Sequence, residues 1–272
     1  MKKFLVIVIT VMLAGFISCT KNVEKKEGLA GDLKIAGGTA HIQIMKTVAE
    51  ILMKENPELN ISISGGGSGL GIKQVGEGLV DIGNSGRDLK DSEINEFGLI
   101  PHKIAIDGIA IVVHPSASVE ELSFSQIQNV FSGKIKNWNE IGGADLAINI
   151  YTRDAKSGTR KIFEKLAMGE AKITDIANFV TSNGNMKVLV AGDEGAIGYM
   201  SAGYLDDTIK PLAVEGVVPT LENIRNKSYK IQRYLYSVTK GEAKGIVKVL
   251  LDRVLSEEGQ NVVAKKGFIK VK

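Results

Sequence analysis

The sequence predicts an α/β fold built on largely parallel sheets, and three observations carry that expectation. Short apolar strand-like runs alternate with helical patterns from Leu33 onward, no linker interrupts the alternation, and glycines gather at the joints between the two kinds of segment. The first strand-like run is Leu33 to Gly37, followed by a helical pattern over Ile42 to Asn56. Leu59 to Gly65 alternates apolar and polar residues and leads into a helix over Leu70 to Gly78. Val80 to Ser85 repeats the theme before a helix over Leu89 to Phe97. Ile104 to His114 is longer than a typical strand and carries Gly108 in its middle, and a second long run spans Lys230 to Thr239. A long extended segment on either side of a middle block suggests two lobes joined by two crossovers. A last helix, Ala243 to Lys265, would return to the first lobe. No internal repeat is visible. A hinge between lobes suits closure around a small ligand.

Composition narrows the function classes. The 272 residues are 44% hydrophobic and 24% charged, enough apolar material for one large domain or two smaller ones, and too much for a disordered chain. A net charge of +3 is too small to argue for a nucleic-acid or membrane-surface protein from electrostatics. Gly 31 against Pro 5 points to many tight turns and close backbone approaches.

The N-terminus reads as a targeting segment. Met1-Lys2-Lys3 is a basic start, residues 4–17 are an apolar run too short to span a bilayer comfortably, and Ser18 precedes Cys19, the one cysteine of the sequence. The expected processing removes residues 1–18 as a signal peptide and attaches lipid at Cys19, with residues 19–31 as a polar tether. An uncleaved anchor helix with an incidental cysteine is the alternative. Phe16-Ile17-Ser18-Cys19 resembles a relaxed form of the bacterial lipoprotein signal. A lone cysteine leaves neither an intrachain disulfide nor a multi-cysteine metal site.

Candidate chemistry collects where strands end and helices begin. Four junctions are rich in Gly, Ser and Thr: Gly37 to Ala40, Gly65 to Gly69, Gly83 to Arg87, and Ser157 to Arg160. Helix starts leave backbone N–H groups unpaired and carry partial positive charge, and glycines let an anion approach them. Any one junction is equally an ordinary capped helix start. Four together, with Arg153 four residues before Ser157, point to an oxyanion site, because a guanidinium is a planar, permanently charged fork. Open α/β sheets bind ligands at the carboxyl ends of their strands, where these junctions fall.

Other chemistries find little support. Gly66 to Gly71 has the spacing of a P-loop opening, but Ile72 stands where lysine is required. His41, His102 and His114 lack metal-binding spacing, and G-x-S-x-G is missing. Ser237 to Lys240 matches S-x-x-K without its companion motifs. Trp138 and the tyrosines at 199, 204, 234 and 236 read as packing residues. No catalytic residue, metal or cofactor is expected, and a binding protein is the simpler reading.

At the level of whole motifs the chain resembles the phosphate-binding component of bacterial phosphate ABC transporters. The segments that carry the resemblance are GGGSGLGIKQV (65–75), VDIGNSGRDLKDSE (80–93), IAIDGIAIVVHP (104–115), FSGKIKNWNEIGG (131–143), RDAKSGTRKIF (153–163) and GAIGYMSAGY (195–204). The resemblance implies a two-lobe type II periplasmic-binding-protein-like fold, each lobe a mostly parallel sheet flanked by helices, with two hinge crossovers. Its boundaries would be 32–108 with 228–272 for the first lobe and 109–227 for the second. It implies a monomer that captures inorganic phosphate and passes it to the importer's permease and ATPase subunits, held by its lipid on the outer face of a membrane. Carried over by position, Thr39 with the Ala40 N–H, Ser68, Ser85, Arg153, Ser157, Gly158 and Thr159 would bind phosphate.

One departure matters. Some members of that family carry an aspartate after the serine of the third junction, where it accepts a hydrogen bond from a protonated phosphate oxygen; here the position is Gly86, followed by Arg87. Phosphate keeps a proton near neutrality and sulfate does not, so a carboxylate acceptor separates the two. Asp107 is the candidate acceptor, with Asp154 and Asp88 behind it; a capping aspartate at the hinge is the other reading of Asp107. Arg87 could face the ligand or pair with Asp88 or Glu93, and Arg160 could add charge or anchor its loop. A binding protein for another oxyanion (sulfate, molybdate, a phosphonate) would use the same helix starts, and a phosphatase is the enzymatic alternative.

Overall fold

The structure, a computed structural model, describes residues 29–272. The signal segment and Cys19 lie outside the described residues. In chain order the elements are β1 (Gly31–Gly37), α1 (Ile42–Glu55), β2 (Leu59–Gly66), α2 (Ser68–Gly76), β3 (Ile82–Ser85), α3 (Asp91–Phe97), β4 (Leu99–Val113), β5 (Glu121–Leu122), α4 (Phe124–Phe131), β6 (Asn149–Arg153), α5 (Gly158–Phe163), β7 (Asn178–Val180), α6 (Asn183–Ala191), β8 (Ala196–Ser201), β9 (Lys210–Pro211), β10 (Ala213–Val214), α7 (Leu221–Arg225), β11 (Gln232–Lys240), α8 (Gly245–Leu255) and α9 (Glu257–Lys265).

The main sheet runs β2-β1-β3-β11-β4-β8-β6-β7, with β9 also on β4, and its register explains the two lobes. β1 pairs in parallel with β2 and β3, and β6 in parallel with β7 and β8, so each side has the strand–helix–strand pattern that requires crossover helices. The long strands join the sides. The first part of β4, Leu99 to Gly108, pairs antiparallel with β11, whereas Ile109 to Val113 pairs antiparallel with β8. The chain therefore passes from one lobe to the other at Gly108–Ile109 without leaving the extended conformation.

The apolar cores divide along the same line. Leu33, Ile35, Val48, Leu52, Ile82, Ile104, Leu235, Leu250 and Phe268 fill the first. Ile109, Ile111, Phe131, Trp138, Phe163, Tyr199, Tyr229 and Ile231 belong to the largest core of the second lobe. Tyr229 and Ile231 thus pack with the second lobe, and the return crossover falls at the entry to β11, a few residues beyond the expected boundary at 228. Tyr229 donates its hydroxyl to the Ile109 carbonyl, and the Ile109 N–H donates to the Ile231 carbonyl, tying the two crossovers to each other.

The expected single C-terminal helix is two. Ser256 is extended (φ −68°, ψ 166°) and its Oγ accepts from the Gly259 N–H, so it caps α9 and ends α8, and Glu257 and Glu258 then favour the helix start. The apolar period runs through the break, which is why it reads as one helix.

Candidate functional site

The parallel strands deliver their C-terminal ends to the line between the lobes. Thr39 and Ala40 lie in a 3-10 turn after β1, Ser68 opens α2 after β2, and Ser85 ends β3. From the second lobe, Arg153 ends β6 and Ser157 caps α5, whose first residues are Gly158 and Thr159. All are buried.

Thr39 and Arg153 meet across the cleft. The Thr39 Oγ1 receives Arg153 Nη2 at 3.4 Å, the Asn183 backbone N–H at 3.3 Å and Asn183 Nδ2 at 3.0 Å. A hydroxyl oxygen has two lone pairs, so three donors exceed what it can accept. Tyr204 adds a hydroxyl donating to the Thr39 carbonyl at 2.7 Å.

Among the described residues Arg153 has no carboxylate partner. Its Nε donates to the Val180 carbonyl and Nη2 to that of Thr181, both at 3.0 Å, and Nη1 reaches Asn183 Oδ1 at 3.4 Å. Burial lowers its pKa to about 10, which still leaves it cationic at neutral pH. Tyr199, stacked on Phe163 with ring centroids 3.9 Å apart, accepts from the Arg153 backbone N–H and fixes the strand end behind the guanidinium. Arg160 donates to the Arg153 carbonyl and to Glu164, so it anchors the loop.

Ser68 and Gly158 form a second meeting point. A Cβ on Gly158 would lie 2.1 Å from Ser68 Oγ, so only glycine permits this approach. Ser68 Oγ also accepts from the Gly86 N–H at 2.9 Å, and the Gly69 N–H donates to the Lys156 carbonyl across the cleft. Ser157 Oγ accepts from the Arg160 N–H and so acts as the cap of α5.

Two expected side chains are engaged elsewhere. The Ser85 hydroxyl donates to the Arg87 carbonyl of its own loop at 2.8 Å, and Arg87 forms a two-pronged pair with Glu93. Asp107 is fully buried, but its Oδ2 accepts from Arg233 Nε (2.9 Å) and Nη2 (2.7 Å), and its Oδ1 accepts from Ser201 Oγ (2.8 Å). Burial pushes this carboxyl up, and the Arg233 charge and hydrogen bonds oppose it. The acceptor capacity expected to serve a phosphate proton is therefore largely spent on Arg233 and Ser201.

Sequence reasoning missed Asn183 and Arg233. Thr181-Ser182-Asn183-Gly184 is a fifth polar helix start, with Ser182 capping α6, and it could have been counted with the other four. Arg233 stands between Ile231 and Leu235 at a buried position of β11, a cation where strand alternation calls for an apolar residue.

Among the described residues, Asp107, Arg153 and Arg233 are the buried residues that carry full charge, at 1%, 1% and 6% exposure. His41, held near pKa 3 by burial and by the Arg233 charge, is neutral. Two cations face one anion, and an unpaired buried charge is costly unless a counterion joins it. The arrangement can therefore bind a small anion rich in acceptors. Among the described residues no group of three His, Cys, Asp or Glu is placed to hold a metal ion, and no helix is long and apolar enough to cross a membrane.

Comparison with known proteins agrees with this chemistry. A family model described as a PBP superfamily domain matches residues 22–258. The phosphate-binding protein PstS of Bacillus subtilis (strain 168) is 38% identical over 257 residues, covering 93% of this chain and 85% of that protein. A candidate phosphate ABC transporter substrate-binding protein of Clostridium perfringens, solved with bound phosphate, is 40% identical with a TM-score of 0.84, covering 89% of this chain and 100% of that one. An ABC-type phosphate transport receptor from Vibrio cholerae is 32% identical with a TM-score of 0.71, covering 87% of this chain and 99% of that one.

Proposed function

The chain belongs to the PBP superfamily, among the PstS phosphate-binding proteins, and on that footing we propose that it captures inorganic phosphate between its lobes and delivers it to the permease of a phosphate ABC importer. The observation that carries the reading is the buried Arg153 guanidinium, which faces Thr39 of the opposite lobe and has no carboxylate partner among the described residues. Phosphate would complete it. Thr39 with the Ala40 N–H and Ser68 from the first lobe, and Arg153, Gly158 and Thr159 from the second, supply the donors, and Asn183 joins them. Ser157 contributes as the cap that holds α5 in place. Contacts from both lobes exist only in the closed form, so phosphate shifts the population toward closure, and the permease reads that form.

In this reading the protein is a binding component and not an enzyme, works as a monomer, and is tethered through lipid on Cys19 to the outer face of a membrane, with the ATPase subunits on the other side. A thermal-shift series with phosphate, sulfate, molybdate and a phosphonate tests the ligand. Phosphate should give the largest rise in melting temperature, since a ligand that binds only the folded state stabilises it by mass action. A larger shift with sulfate would move the protein to a different oxyanion. Fractionation of cells making Cys19→Ser tests the tether: the variant should leave the membrane fraction, and its retention there would support an uncleaved anchor.

A further inference from the structure

We propose that Arg233 is a second guanidinium in contact with the bound phosphate, aimed by Asp107 and occupying the space that a side chain at position 86 would need. The inference rests on the phosphate reading of the cleft.

The placement of Arg233 is unusual for a hinge strand. β11 carries it into the boundary between the lobes, and its Nη1 donates to a group from each: the Gly86 carbonyl of the first lobe at 3.1 Å and Thr159 Oγ1 of the second at 3.0 Å. Both partners adjoin the meeting point already described. The Gly86 N–H is bonded to Ser68 Oγ, and Thr159 follows Gly158, whose Cα faces that same oxygen. The guanidinium tip thus sits among the groups assigned to phosphate.

Gly86 gives this position its meaning. A Cβ there would lie 2.7 Å from Arg233 Nη1 and 3.1 Å from Cζ, so any side chain at 86 and the present guanidinium exclude each other. The space beside the Gly86 Cα is the space that the Arg233 guanidinium tip occupies.

Hydrogen-bond accounting points the same way. Of the five N–H groups of Arg233, Asp107 takes two, Gly86 one and Thr159 one, leaving a single Nη2–H without a protein acceptor. Arg153 has the same surplus of one on Nη1. The two guanidinium groups are also near enough for their charges to repel, a repulsion that an anion held between them removes. Asp107 is a positioning residue here. It holds Nε and one Nη2 hydrogen, which sets Nη1 on Gly86 and Thr159 and leaves the other Nη2 hydrogen for the anion.

Isothermal titration with inorganic phosphate tests this on the wild type, on the double variant Arg233→Met with Asp107→Asn, and on Gly86→Ala. The double variant removes both partners of the Arg233–Asp107 pair together and leaves neither of them unpaired, so a purely structural ion pair would be replaced without loss. The expected result is a cooperative melt of the ligand-free double variant with phosphate affinity lowered at least about 30-fold. Gly86→Ala keeps both charges but pushes Nη1 aside, and its affinity should also fall. A folded double variant that binds like the wild type overturns the inference while leaving phosphate binding intact. If the double variant does not fold, wild-type affinity in Gly86→Ala overturns it instead. A wild type that takes up no phosphate overturns the reading of the cleft and this inference with it.

Discussion

Arg153 Nη2 lies 3.4 Å from Thr39 Oγ1, although the two residues are 114 positions apart in sequence and belong to different lobes. Asn183 brings two more donors to the same oxygen. The cleft is thus over-supplied with donors and holds one more buried cation than buried anion. A tetrahedral oxyanion, with its several acceptor oxygens, corrects both imbalances at once.

Gly158→Ala should weaken phosphate binding by at least about tenfold while leaving the ligand-free melt nearly unchanged. Its Cβ would collide with Ser68 Oγ only where the lobes meet. The cost therefore falls on closure and not on the fold of either lobe. Titration and thermal melts of the same preparation check this, and an unchanged affinity would show that Ser68 and Gly158 need not approach.

Asp107→Asn should weaken phosphate and sulfate to a similar degree, about tenfold for each, because Asp107 acts on the ligand through the Arg233 guanidinium. Competition titrations measure both anions against one preparation. Loss of phosphate affinity with sulfate affinity retained would instead make Asp107 the acceptor of the phosphate proton.

His41 should give the stability a pH dependence. Its pKa falls from 6.5 to about 3 on folding, first through burial and then through the Arg233 charge. Below pH 6.5 the unfolded chain takes up a proton that the folded chain refuses. Stability contributed above that pH is therefore lost as the pH falls toward 3, at up to about 1.4 kcal/mol per pH unit. Denaturant unfolding of ligand-free wild type and His41→Gln at pH 7 and pH 5 isolates the effect: the variant should lose less stability between the two. Equal losses would mean that His41 takes a proton in the folded protein.

Much of this architecture is legible in sequence because its signals are local. Gly-Ser-Thr junctions mark strand-to-helix turns, so Thr39, Ser68 and Ser157 can be found from their neighbours, and Arg153 from its distance to Ser157. Side-chain destinations are a different matter. Whether Asp107 meets a ligand or an arginine depends on the pairing of β4 with β11, which sets it opposite Arg233, 126 positions away. The Ser85 hydroxyl turns back into its own loop, a choice its sequence context shares with serines that face outward. The break at Ser256 is hidden for the opposite reason, since a local cap interrupts an apolar period that continues on both sides.

Phosphate titration of Arg153→Met beside the wild type asks whether the anion sits against this guanidinium. Removing the one buried guanidinium that, among the described residues, lacks a carboxylate should leave a folded protein whose phosphate affinity is lowered by at least about 30-fold, the loss expected when a desolvated anion is deprived of a charged partner. Affinity equal to that of the wild type would mean that the anion does not sit against Arg153, and would contradict the account.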